Sequence, residues 1–318
     1  MEQAHLNFSN GDPFPLVGLG TWKAGKGEVR DAVLNALESG YRHIDCAPVY
    51  ENEAEIGEAF EEAFRSGLVK REDLFVTSKL WCDHHYAEDV KKGLRRTLED
   101  LRLEYLDLYL VHWPISLQRD TLFPEVGSDF IPPEDLPLSE TWKGMKDAHN
   151  MHLCRHIGVS NVSPARLRSL VGVAEHPPEV NQVECHPFLA QTALLQTCAE
   201  TGVILTAYSP LGTGKEKEVG APDVSKCDVL SELAEKYNTT PQQIALAWNI
   251  QRGVVVIPKS TDVTRQKQNL AAPSLKLADK DMMKISQLDQ GHRFISGEIW
   301  TENGSPYTAE WLWEGSEV

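Results

Sequence analysis

The sequence contains no Cys-x-x-Cys pair; its six cysteines stand apart at positions 46, 82, 154, 185, 198 and 227. That spacing argues against a structural zinc site and gives no disulfide framework, so reduced thiols in a cytoplasmic protein are expected. The N-terminus has no basic start followed by an apolar run, and no apolar segment reaches the roughly 20 residues of a membrane span. Positive charge is short as well: 31 Lys and Arg stand against 47 Asp and Glu, for a formal net charge of -16. Such a chain repels phosphate backbones and anionic lipid, so neither nucleic acid nor a membrane is an expected partner. Any anionic ligand would have to be met by a local positive cluster. No G-x-G-x-x-G follows a strand-like run, which argues against a Rossmann dinucleotide fold.

What is present is a regular alternation. Within 318 residues, 41% of them hydrophobic and 25% charged, strand-like runs occur at 16–22, 41–47, 74–80, 106–113, 156–161, 179–185, 203–209 and 254–260, after an N-terminal hairpin around NFSNGDPFP. Between them the apolar residues fall into helical period: Ile56, Ala59, Phe60, Ala63 and Phe64 share one face while Glu55, Glu58, Glu61 and Glu62 point elsewhere. Asn52 is the expected cap of that helix and Gly67 its stop. Gly40 closes the helix before it, and Val90, Leu94, Leu98 and Leu101 form the next apolar stripe. Strands alternating with helices imply parallel pairing with right-handed crossovers, and eight such units close an α/β barrel of the TIM type. No repeat or low-complexity linker divides the chain, so one domain over 1–318 is expected, as a monomer or weak dimer. Two long insertions, Pro114 to about Leu138 and Leu211 to Ser225, interrupt the pattern, and a tail after Gln290 carries Trp300, Tyr307, Trp311 and Trp313. Long loops of this kind commonly bind something.

Polar groups at the carboxyl ends of barrel strands point into the functional mouth. Here those ends supply Thr21, Trp22, Asp45, Lys79, His112, Ser160, Asn161, Gln182, Tyr208, Ser209, Lys259 and Ser260. Within the stretch GYRHIDCAPVYENE, Pro48 turns the chain so that Tyr50 reaches back over Asp45. A tyrosine titrates near ~10, too high to exchange protons easily, and a neighbouring ammonium lowers that value. Lys79 ends the adjacent strand and can supply it; a buried lysine in turn needs a carboxylate, and Asp45 is one strand away. His112 lies where it could bond a substrate oxygen.

These motifs are similar to those of the aldo-keto reductase family: GLGTW at 18, GYRHIDCAPVY at 40, VTSKLW at 76, LYLVHWP at 108, IGVSN at 157, NQVECHP at 181, AYSPLG at 207 and IPKS at 257 follow the family order along nearly the whole chain. The resemblance implies a nicotinamide-binding barrel that reduces aldehydes, aldoses or small ketones, with Asp45, Tyr50, Lys79 and His112 as the catalytic tetrad and Tyr50 as general acid. It implies that Ser160, Asn161 and Gln182 hold the nicotinamide amide and Tyr208 stacks on its ring, with Thr21, Trp22, Asp45, Ser209 and Leu211 also on the cofactor. Lys259, Ser260 and Arg265 match the binders of the adenosine 2'-phosphate, and Gln268 and Asn269 the adenine contacts, so NADPH is favoured and NADH is the alternative. Asp262 departs from the family's usual uncharged residue and would weaken that preference. Trp22, Val49, Tyr50, Trp81, His112 and Trp113 match the substrate pocket, over which the insertions and the aromatic tail would close.

Plainer readings exist for each residue singly. Asp45 could be a salt-bridge residue, Tyr50 a loop aromatic, His112 a core histidine and Lys259 a solvated lysine; their grouping on one rim favours function. Cys82, Asp83, His84 and His85 offer metal-binding chemistry, but consecutive side chains rarely converge on one ion, and no metal is expected. GTGKEK at 212–217 lacks Ser or Thr after its lysine and carries Ser209 in place of the first glycine of a phosphate loop; a lid over the cofactor pyrophosphate is the better reading. Two competing functions remain: a barrel that binds the nicotinamide cofactor without turnover, and a phosphate-handling isomerase or lyase, which would leave Tyr208 and Gln182 without a role.

Overall fold

The structure is a computed structural model that describes residues 3–25, 27–212 and 220–318. Eight parallel strands form one sheet in sequential order: β1 (Leu19–Gly20), β2 (His43–Asp45), β3 (Phe75–Leu80), β4 (Leu106–Val111), β5 (Cys154–Ser160), β6 (Val180–Glu184), β7 (Ile204–Tyr208) and β8 (Val255–Val256). Parallel bridges from Val17 to Val256 and from Gly20 to Lys259 join the two ends. The sheet therefore has no free edge, and the fold is the TIM barrel expected from the eight apolar runs. Each strand lies inside the run that signals it except β5, which begins two residues before the 156–161 run, and β1 and β8 are only two residues long where the runs are seven. There the backbone turns from sheet pairing to loop at the rim.

Strand burial is complete on both faces of β2, β3, β4 and β6 because helices cover the outside and side chains fill the inside. The helix Glu53–Ser66 buries Ile56, Ala59, Phe60 and Ala63, as its period predicts. Gly67 ends it in the left-handed conformation, at φ 73°, which costs glycine least. The expected cap does not form: Asn52 sits at the N-cap position but its side chain gives no capping bond. Its Nδ2 donates instead to the Thr21 carbonyl, 3.0 Å away, tying the β2 loop to the β1 loop. The stripe Val90, Leu94, Leu98 and Leu101 is buried as expected.

The N-terminal hairpin pairs His5–Asn7 with Pro13–Pro15. Its Phe8 and Phe14 rings stack at 5.0 Å, and they pack on Phe75, the first residue of β3, and on His156 near the start of β5. This aromatic plug closes the amino ends of the strands, so a ligand can enter only from the carboxyl ends. Among the described residues no helix is long and apolar enough to cross a membrane.

The helix Glu53–Ser66 packs so closely on the following helix that a Cβ on Gly57 would lie 2.2 Å from the Asp100 carbonyl oxygen. Ala is the better helix former by about 1 kcal/mol, but the clash is with backbone and outweighs that gain. Gly57→Ala should therefore lower stability by roughly 1–3 kcal/mol, read as a fall in the urea midpoint with an unchanged slope. An unchanged or raised midpoint would contradict this packing.

Candidate active site

β2 ends at Asp45, β3 carries Lys79 one residue before its end, and the register pairs Asp45 with Thr77, two residues before Lys79. The Lys79 ammonium donates to Asp45 Oδ1 at 2.6 Å and to the Cys46 carbonyl at 2.8 Å, with both side chains fully enclosed. Asp45 Oδ2 accepts from Gln182 Nε2 at 2.7 Å, so both carboxylate oxygens are engaged. Burial pushes the lysine down; Asp45 and then Tyr50 push harder in the other direction and hold it above the usual lysine range. The ammonium is fixed as a cation.

The chain leaves β2 through a single 3-10 turn, Pro48–Tyr50, which swings Tyr50 back over the strand end. Its hydroxyl stands 3.4 Å from Lys79 Nζ, a long contact, and the ammonium lies 5.2 Å from the ring centre. The expected acidification is not what this arrangement gives. Burial pushes the Tyr50 phenol up to about 12, and the pull of Lys79 in the opposite direction does not overcome it. His112 follows β4, with its ring edge-on to Tyr50 at 5.8 Å and to Trp81 at 5.0 Å. Burial, and then the Lys79 charge, hold the imidazole well below its ordinary pKa, so it is neutral; its Nδ1 is buried with no partner.

The nicotinamide-site candidates form one network with these groups. Asn161, in the left-handed conformation at φ 60°, donates through Nδ2 to the His112 carbonyl at 2.9 Å and to Ser160 Oγ at 3.2 Å. Ser160 Oγ donates to the Gln182 carbonyl at 2.7 Å, and the Tyr208 hydroxyl donates to Asn161 Oδ1 at 2.8 Å. Thr21 Oγ1 donates to the Asp45 carbonyl at 2.8 Å. Ser209 begins the next loop at φ 44°, and its carbonyl accepts from Gly212 at 2.8 Å; Leu211 packs against the core between them. Residues 213–219, most of the proposed lid, lie outside the described residues.

Around β8 the donor set suits a phosphate. Lys259 and Arg265 are exposed and form no ion pair among the described residues, with the buried Ser260 and Asn269 and the half-buried Gln268 beside them. Asp262 caps the helix Val263–Leu270 by accepting from the Arg265 backbone N–H at 2.8 Å. That is a structural task which the sequence comparison did not reveal, and it holds the carboxylate close to the same cluster.

Trp81 and Trp113, candidates for the substrate pocket, cluster with Trp300, which lies 5.7 Å from Trp81 and 5.5 Å from Trp113, and Val49 packs against them. The Trp81 indole donates to the Leu122 carbonyl at 2.7 Å, so the first insertion supports this cluster. Trp22 is 37% exposed, its ring 6.5 Å from Tyr50. The run Cys82 to His85 disperses: His84 bonds Asp83 at 2.6 Å while His85 turns to Ser116 at 3.1 Å. Sequence reasoning missed Glu184, whose carboxylate accepts from the backbone of Phe294 at 2.8 Å and Ile295 at 2.9 Å and so anchors the tail. A charged residue inside the β6 run, the Glu of NQVEC, was the available signal.

The comparisons agree with this geometry. The sequence profile described as "Aldo/keto reductase family" matches residues 16–290. An aldo/keto reductase of Synechocystis sp. is 46% identical over 314 residues, covering 98% of this chain and 96% of its own length. Aldo-keto reductase family 1 member A1-A of Danio rerio is 42% identical over 315 residues, covering 96% and 97%. A crystal structure of a Bombyx mori aldo-keto reductase, in complex with NADP, superposes with a TM-score of 0.86 at 37% identity over 94% of this chain and 97% of that one. The chain belongs to the aldo/keto reductase family.

Proposed function

We propose that this protein reduces aldehydes, aldoses or small ketones to alcohols, with Tyr50 as the proton donor and Asp45, Lys79 and His112 as its supports. The observation that carries the reading is the Tyr50 hydroxyl beside an ammonium that is itself clamped on Asp45 at 2.6 Å. The protein is an NADPH-dependent oxidoreductase of carbonyl compounds. When bound, NADPH supplies hydride equivalents to the carbonyl carbon. Ser160, Asn161, Gln182 and Tyr208 would hold the nicotinamide end, with Thr21, Trp22, Asp45, Ser209 and Leu211 along the cofactor. Lys259, Ser260 and Arg265 would meet the 2'-phosphate, and Gln268 and Asn269 the adenine. Trp22, Val49, Trp81 and Trp113 would line the substrate side.

The neutral His112 imidazole carries an N–H that can bond the carbonyl oxygen without competing as an acid. Tyr50, raised rather than lowered in pKa, keeps its proton until negative charge builds on that oxygen. An alkoxide is far more basic than a phenolate, so the transfer is downhill, and Lys79 stabilises the phenolate that remains. Tyr50 is partly open to the mouth, where solvent can return the proton. We further read the chain as one cytoplasmic domain, monomeric or weakly dimeric, in keeping with free cysteines that are almost all buried.

Tyr50→Phe should lower kcat by about 100-fold or more while the NADPH dissociation constant, followed by quenching of tryptophan fluorescence, changes little. Lost binding with normal turnover of the bound fraction would contradict the role. At the other end of the cofactor, Asp262→Asn keeps a good helix cap but removes a negative charge beside Lys259 and Arg265. Titrations with both cofactors should show NADPH binding tightened by roughly 2–5-fold and NADH binding unaltered. Equal changes for the two would place the phosphate elsewhere.

A further inference from the structure

A second carboxyl is buried close to the ion pair. Glu53, the first residue of the helix Glu53–Ser66, is only 3% exposed, and its Oε1 accepts from the Ser78 hydroxyl at 2.6 Å. Its Oε2 is buried with no hydrogen-bond partner, as is the hydroxyl of Thr97 on the following helix. Burial pushes the Glu53 carboxyl up to about 7, against the pull of the Ser78 bond. A carboxyl buried with one oxygen unpaired contributes little to stability, and an apolar side chain of its size would serve the packing as well.

Its place in the chain gives it another task. Successive residues of a strand face opposite ways, so Ser78 turns out of the barrel where Lys79 turns in. Glu53 follows Tyr50 by three residues, through Glu51, left-handed at φ 54°, and Asn52, whose amide is tied to the Thr21 carbonyl. The Ser78 bond thus joins the segment that carries the phenol to the strand that carries the ammonium. Asp45 fixes the ammonium itself, but the 3.4 Å gap from Lys79 to the Tyr50 hydroxyl depends on where that segment sits. We propose that Glu53 is a positioning residue for the proton transfer, whose bond to Ser78 holds the Tyr50 segment on β3 and so sets the distance between hydroxyl and ammonium. This rests on the reductase reading above. The attraction that stabilises the phenolate falls with distance, so a slack tie slows the chemical step while the substrate and cofactor contacts stay in place.

The test uses the full chain with NADPH already bound and benzaldehyde as the probe, the rate of a single turnover being followed by loss of NADPH absorbance. Glu53→Met combined with Ser78→Ala removes both partners and should slow that step by about tenfold, leaving KM and the NADPH dissociation constant within about twofold. Its urea midpoint should be unchanged or higher, since neither polar group is left buried alone. Glu53→Gln keeps an oxygen for the Ser78 hydroxyl and should retain the rate within about threefold. Should the double variant not fold, Ser78→Ala alone decides the matter, and an unchanged rate there would overturn the proposal. A rate unchanged in the double variant, a loss in Glu53→Gln as large as in the double variant, or a loss that tracks weaker NADPH binding would overturn it too. A wild type that binds NADPH and reduces neither benzaldehyde nor any other aldehyde would instead overturn the reductase reading, and this one with it.

Discussion

The site depends on one buried ion pair. Asp45 and Lys79 face each other at 2.6 Å with essentially no solvent contact, so water cannot compensate either group and each depends on its partner. Removing one partner of such a pair typically costs about 3–5 kcal/mol, because the survivor is left uncompensated. The pair's surroundings are equally committed: the second Asp45 oxygen is held by Gln182 and the ammonium also bonds the Cys46 carbonyl. A cation is thereby fixed at the end of β3 regardless of ligand. It adds to burial in keeping His112 neutral, and it supplies the stabilisation available to a Tyr50 phenolate.

The same cation does not acidify Tyr50 in the resting arrangement, and the reason is one of magnitudes. Desolvation of a phenolate under the barrel rim exceeds the attraction of an ammonium whose charge is largely spent on Asp45 and whose contact with the hydroxyl is 3.4 Å long. A tyrosine that holds its proton is a poor base and a good late acid.

Much of this was legible in the sequence because the barrel repeats a simple rule. Eight apolar runs, each ending in polar residues, gave the strands, and the end of each run gave the rim; Asp45, Lys79, His112, Asn161, Gln182 and Tyr208 do meet there. The family resemblance supplied roles that spacing alone could not. What escaped depends on contacts between distant segments. Asn52 reads as a helix cap locally, yet its amide is drawn to the Thr21 carbonyl across the β1 and β2 loops. Burial of Tyr50 depends on neighbours from other strands, the Trp22 and His112 rings among them, so the sign of its shift could not be read from Lys79 being nearby. Asp262 looked like a flaw in a phosphate site and is also the cap of the helix that carries Arg265.

The two ends of the barrel are closed by different means, and the difference explains where specificity can change. The amino end is sealed by phenylalanine rings of a short hairpin packed directly on β3 and His156, with little room for variation. The mouth is walled by the first insertion and the C-terminal tail, which meet on Tyr307. Its buried hydroxyl accepts from the Ser116 backbone at 3.1 Å and donates to the Ile131 carbonyl at 2.7 Å, so one tail residue holds both strands of the insertion's small hairpin. The same insertion supports Trp81 through Leu122, while the tail brings Trp300 against Trp81 and Trp113. A change in either segment therefore moves the wall contributed by the other, whereas the Asp45–Lys79 pair, anchored on β2 and β3 beneath them, remains where it is. Chemistry and selectivity are thus mechanically separate, with the first held by strands and the second by two loops that must change together.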